Sequence, residues 1–258
     1  MNDFDRAACA KFSQLREEKH ITSYNDKWNL EGVCSANTLL RYSSGQASFM
    51  DMPFYLAVAS FKFLDYRPDD FMLENFPIRD EFNIRVSSLK SSSVYDWLGN
   101  HSRPDYEYLR EKAKNRIFAL KKRGSIDSSM YDRLLEKIKG VFSLENCLSD
   151  SRGRYLSDEY YISHVVPLVH EIDKASILGS TKIDVQGKFL RCVMIDKDLS
   201  IDDISYLADI SRRAFFYLQK DMNKIGHLPF SKIICICLAL DKKYDELFSI
   251  YLENLSFI

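Results

Sequence analysis

A mostly α-helical fold with a minor β component is predicted by three observations. Glycine and proline are scarce, 9 and 6 of 258 residues, whereas an all-β chain needs many turn residues. Apolar residues recur at three- and four-residue spacing in several segments, the period of a helix with one buried face. Hydrophobic residues make up 46% of the chain and aromatic residues 13%, enough for a packed core and too many for a disordered chain.

Phe4, Ala8, Phe12 and Leu15 mark an amphipathic helix from Asp3 to Lys19. Residues 20–33 read as a loop around Trp28, and a short helix is expected from Cys34 to Tyr42, broken by Ser43, Ser44 and Gly45. Pro53 suits a helix start, and Phe54 to Leu64 is apolar nearly all round, the pattern of a buried helix. Residues 65–81 read as a loop. Phe82 to Val86 alternates with period two and predicts a strand, and the serine run at 87–93 reads as another loop.

The best-marked helix is Pro104 to Arg123. Proline stands near its start, Asp105 and Glu107 in its first turn, Lys121, Lys122 and Arg123 in its last, and Gly124 just beyond. Its basic run from Arg110 to Arg123, interleaved with Phe118, reads first as a solvated face and second as a nucleic-acid contact. A partner helix at 128–139, ended by Gly140, completes a helical hairpin. The polar segment 147–158 predicts a boundary between a helix-rich N-terminal domain at 1–148 and a C-terminal domain at 159–258. The latter is expected to open with a strand from Tyr160 to Val169 and to continue as a helical bundle, ending in two apolar helices between Pro229 and Ile258.

A net charge of -1 confines any nucleic-acid or membrane surface to a local patch. Six cysteines stand at 9, 34, 147, 192, 235 and 237 without a C-x-x-C pair. Cys9, Cys192, Cys235 and Cys237 fall in apolar helical runs, which predicts buried free thiols in a reducing compartment. No four ligands cluster at metal spacing, Cys235 and Cys237 fall on different helix faces, and His170-Glu171 lacks the second histidine of a zinc protease, so neither metal nor cofactor is implied. The early acids of the N-terminus do not form a secretory signal, and no apolar run reaches the roughly 18–20 residues of a membrane span. A soluble cytoplasmic protein without a membrane partner is expected; a signal-less export route is compatible with the same sequence.

The segment from Leu199 to Gly226, LSIDDISYLADISRRAFFYLQKDMNKIG, carries the leading functional expectation. Ser200 can cap a helix whose first turn holds Asp202 and Asp203 and which runs to Ala208. Asp209 and Ile210 form a turn. Ser211 can cap a second helix from Arg212 to about Lys224, with Gly226 ending it. Ile204, Ile210, Phe215 and Leu218 supply the contact between the helices, and Ser205 and Ala208 the small residues at their crossing. The second helix is basic, with Arg212, Arg213, Lys220 and Lys224 against Asp221. Arginine reads guanine in bidentate fashion, so Arg212 and Arg213 are placed for base edges, and Lys220 and Lys224 for phosphates.

LSIDDISYLADISRRAFF resembles the first helix-turn-helix of AraC/XylS-type transcription regulators, and Phe189 to Asp198, FLRCVMIDKD, resembles the short helix before that motif. The resemblance spans residues 189–226. It implies a DNA-binding transcriptional regulator with double-stranded DNA as partner and Ser211, Arg212, Arg213, Lys220 and Lys224 as the DNA-binding residues. The N-terminal domain would then serve a homodimer or a protein partner. Asp209 stands where such motifs often carry glycine, and no second motif of this kind is read after Gly226.

Two other functions fit the residues. Cys34 follows Gly32-Val33 at an apparent helix start, which favours a thiolate nucleophile. With His164 as base and Asp184 as its orienter, the order and spacing resemble papain-like effector hydrolases. A non-enzymatic helical adaptor for protein partners needs neither DNA nor a reactive thiol. A non-enzyme is the expectation favoured here.

Overall fold

The computed structural model describes residues 3–20, 36–66, 97–99 and 101–248. Cys34, the loop around Trp28, the strand expected at 82–86 and its flanking loops at 67–93, and the chain beyond residue 248 lie outside the described residues. The protein is mostly helical with a small two-stranded sheet, the fold class expected. Its described residues fall into two compact units, one drawn from within 1–89 and 201–258, the other from within 90–200.

The first unit is built from both ends of the sequence. It contains α1 (Asp3–Glu18), α2 (Ala36–Ser43) and α3 (Phe54–Phe63), then α9 (Ile201–Leu207), α10 (Arg212–Leu218) and α11 (Phe230–Leu240). Four fully buried phenylalanines explain the assembly. Phe12 of α1, Phe49, Phe61 of α3 and Phe230 of α11 pack with ring centroids 5.4–6.2 Å apart, mostly tilted or edge-on. Such rings bury large apolar areas and favour these geometries. Backbone pairing adds to them: the Phe54 N–H donates to the Leu228 carbonyl at 2.8 Å, and the Phe230 N–H to that of Met52 at 2.7 Å.

The second unit holds α4 (Tyr106–Lys122), α5 (Ser128–Val141), the hairpin β1 (Leu148–Asp150) and β2 (Gly153–Tyr155), α6 (Asp158–Tyr160), α7 (Val166–Leu178) and α8 (Val185–Asp196). α4 buries Tyr106, Leu109, Ala113, Ile117 and Leu120, one stripe at helical spacing. That stripe packs on Leu134 and Ile138 of α5 and on Leu168, Val169 and Ile172 of α7. The caps of α4 and α5 are made by aspartates. Asp105 accepts from the Tyr108 N–H at 2.8 Å and Asp127 from the Met130 N–H at 2.7 Å. α5 continues past Gly140, where its end was expected, because Phe142 is held beyond it. That ring is buried against Tyr106, and the Tyr106 hydroxyl donates to the Phe142 carbonyl at 2.7 Å.

The segment 147–158, expected as a domain boundary, lies within the second unit and forms the antiparallel hairpin, with Leu148 opposite Tyr155 and Asp150 opposite Gly153. Arg103 clamps it, donating to both carboxylate oxygens of Asp150 at 2.5 and 3.0 Å with its guanidinium 4.1 Å from the Tyr155 ring centroid. The strand expected at Tyr160 to Val169 is helix instead. Ser157 caps it, accepting from the Tyr160 N–H at 3.1 Å, and Tyr161, Val165, Leu168, Val169 and Ile172 fall on one buried helical face. Period alone does not separate a buried strand from a buried helix in so short an apolar run. Pro167 lacks a backbone donor, and the wide π-helical turn at Tyr161–Val165 directly before it absorbs the interruption.

Candidate nucleic-acid interface

The turn between α9 and α10 is set by backbone hydrogen bonds closing the first helix. The Ile210 N–H donates to the Ser205 carbonyl at 2.9 Å and the Asp209 N–H to that of Tyr206 at 3.2 Å. This is the paired closure that needs a left-handed residue just past the helix, and Asp209 supplies it at φ +50°. Aspartate tolerates that conformation better than most side chains, so glycine is not required. Asp209 also forms an ion pair with Lys232 at the start of α11. Ser211 then caps α10, accepting from the Ala214 N–H at 3.1 Å. Ile204, Leu207, Ala208, Ile210, Phe215 and Leu218 are all buried, as the spacing of a helix-turn-helix requires.

α10 is shorter than expected. It ends at Leu218, so Lys220 and Lys224 lie beyond it rather than on its polar face. The Lys220 and Asp221 N–H groups donate three residues back, and Asp221 leaves the helix with extended φ -150°. A 3-10 turn at Met222–His227 carries the chain to the pairing with residues 52–54. The helix therefore stops well before Gly226, which lies inside that 3-10 turn.

The surface of α10 is mixed. Ser211, Arg212, Arg213, Lys220 and Lys224 are all exposed. Arg212 pairs with Asp202 at 3.2 Å, and Lys224 with Asp221 at 3.5 Å. Exposed pairs of this kind contribute about 0–1 kcal/mol and exchange readily for another anion. Arg213 lies 5.7 Å from the Tyr217 ring centroid, and Lys220 lies 5.6 and 6.0 Å from those of Tyr217 and Phe216. Phe216 and Tyr217 are about half exposed, 50% and 49%, which places two rings among the cations on the outward face. The basic residues alone do not indicate them, but the burial pattern does. With Phe215 and Leu218 inward, 100° per residue sends 216 and 217 outward.

The alternative constellation is distributed differently. His164 is exposed in the π-helical turn, stacked on Tyr160 at 4.1 Å with its Nδ1 2.7 Å from the Ser163 hydroxyl oxygen. Asp184 caps α8, accepting from the Gly187 N–H at 2.6 Å. Cys34 is outside the described residues. Among those residues Cys9 and Cys237 are buried thiols outside any disulfide, Cys147, Cys192 and Cys235 are half-buried, and burial pushes the Cys147 and Cys192 thiols up. Among the described residues no His, Cys, Asp or Glu group is arranged to hold a metal, and no helix is long and apolar enough to cross a membrane.

Comparison with protein-family models, curated proteins and solved structures finds no match to this chain.

Proposed function

We propose that the protein is a DNA-binding regulator that contacts double-stranded DNA through α9, the Asp209–Ile210 turn and α10. One observation carries this reading: a capped, tightly closed helix pair presents Arg212 and Arg213 together on the exposed face of its second helix. In this reading the two arginines approach guanine edges or phosphates, Arg212 exchanging Asp202 for the nucleic acid. Phe216, one turn along the same face, is placed for apolar contact with a thymine methyl. Lys220 and Lys224 contribute charge from the segment after the helix, and Ser211 holds the helix start.

The test is duplex binding by fluorescence anisotropy across a salt series, comparing the native chain with Arg212→Ala plus Arg213→Ala. The substitutions should weaken binding and lower the salt slope by roughly 1–2, since each phosphate contact contributes about 0.9. Unchanged affinity and slope would refute the reading.

A further inference from the structure

A cleft of about 650 Å³ runs along α4 in the second unit, walled by Trp97 and Tyr108 at one end and by Lys112, Asn115, Arg116 and Arg123 along its length. Its volume is that of a small-molecule site. Residues 108, 112, 115, 116, 119 and 123 follow helical spacing, so they form one continuous face of α4. At 1.5 Å per residue, Tyr108 and Arg116 stand about 12 Å apart along the axis.

The cations of this face are held in position. The Lys112 ammonium donates to the Trp97 carbonyl at 3.0 Å and to the Tyr108 hydroxyl at 3.2 Å, and lies 5.3 and 5.2 Å from the two ring centroids. Arg116 donates from one terminal nitrogen to Asp173 at 3.2 Å. A guanidinium has five N–H groups in a planar fork, so this single contact leaves it able to grip a second anion. The Arg123 Nε donates to the Ala119 carbonyl at 3.1 Å. Side chains already ordered lose less entropy when a ligand arrives.

The opposing acids do not neutralise them. Glu111, which also lines the cleft, is engaged by Lys114 at 2.9 Å. Asp173 is shared: the Trp97 indole and Arg116 donate to it, and Arg191 adds attraction from α8. Burial nevertheless pushes the Asp173 carboxyl up and the Arg191 guanidinium down, and the Arg191 Nε is buried with no hydrogen-bond partner among the described residues. The lining therefore sets Lys112, Arg116 and Arg123 against Glu111 and Asp173, an excess of one cation, in a concave setting with aromatic walls.

We propose that this cleft binds a nucleoside phosphate, its ring against the Trp97–Tyr108 end and its phosphate on Arg116 and Arg123. That class combines a planar apolar body with a compact anion, as the cleft combines aromatic walls with fixed guanidinium groups. The proposal is independent of the DNA reading, which concerns the other unit.

Isothermal titration of the full chain with ATP, adenosine and tripolyphosphate tests it. ATP should bind saturably at one site, with adenosine and tripolyphosphate each weaker. Arg116→Ala and Arg123→Ala should each weaken ATP by roughly tenfold, the loss of one charge-assisted contact. Among the described residues Arg123 forms no ion pair and hydrogen-bonds to the Ala119 carbonyl one turn back, so Arg123→Ala remains informative if the loss of the Arg116–Asp173 pair unfolds the other variant. Absence of saturable heat up to about 1 mM ATP overturns the proposal. So does equal binding of adenosine or tripolyphosphate, or native affinity in Arg123→Ala.

Discussion

Adding one methyl group at Gly179 should disrupt the second unit, although the backbone there suits any residue. Gly179 follows α7 with φ -77° and ψ -3°. Its constraint is space. A Cβ would stand 1.9 Å from the Ser125 carbonyl oxygen, 2.6 Å from its carbon and 2.7 Å from the Ser125 Cα, where real Cβ atoms keep at least 3.0 Å. The obstacle is backbone, not the end of a flexible side chain. Ser125 is itself held in the α4–α5 turn, its N–H donating to the Leu120 carbonyl at 3.0 Å after Gly124 at φ +71°. Relief therefore requires α7 to move relative to α4 by about 1 Å, in a close-packed core that both helices share. Overpacking commonly costs about 1–3 kcal/mol, and a clash with fixed backbone belongs at about 3 kcal/mol or above. Gly140→Ala is the matched control. A Cβ there meets nothing within 4 Å, and the residue is helical, so it should stabilise by about 0.5–1 kcal/mol. Urea unfolding followed by circular dichroism, with amide exchange on α4 and α7 to resolve the second unit, measures both. A Gly179→Ala protein as stable as the native chain would refute the packing argument.

Phe215→Ala removes a fully buried ring from the contact between α9 and α10 and should cost about 3–5 kcal/mol, read from the exchange of the α9 and α10 amides. Ser211→Ala deletes the cap of α10 and should cost about 1 kcal/mol, measured by the same urea titration. The Arg103 guanidinium and the Arg152 N–H, both bonded to Asp150, lower its carboxyl to about 2. A depressed carboxyl stabilises the fold above its ordinary pKa near 3.8 and loses that contribution as pH falls through about 2. Carboxyl titration by NMR should show this midpoint in the native chain, and Arg103→Ala should return it toward 3.8. Cys147 and Cys192, pushed up by burial, should react more slowly with iodoacetamide at neutral pH than a free thiol.

Local signals were legible wherever a helix carries its own start. Asp105, Asp127 and Ser211 each precede a periodic apolar stripe, and each accepts a backbone N–H three residues on. Helix ends were harder to read because, beside Gly45 after α2 and Gly124 after α4, aspartate closes several of the described helices. Asp65, Asp198, Asp209 and Asp241 take the left-handed position after α3, α8, α9 and α11, so an ordinary acidic residue hides the stop signal. The Arg212–Arg213 surface was legible because both flank the inward Phe215 and Leu218. The place of Lys220 and Lys224 was not, since the chain turns out of the helix at Gln219–Asp221 and enters a 3-10 turn that no capping residue announces.

The α4 cleft shows the same division of labour. Its cations and their helical spacing are written in Tyr106 to Arg123, and the sequence alone determines that they share a face. Only the tertiary structure decided that Trp97 and Asp173 close that face into a concavity and hold Lys112 and Arg116 in place. Fold class, caps and amphipathic stripes come from interactions three or four residues apart, which a sequence displays directly. The Tyr160 to Val169 helix, the union of residues 201–248 with 3–20 and 36–66, and the cleft all depend on contacts between distant segments. Their energy comes from buried area, which no window of the sequence contains.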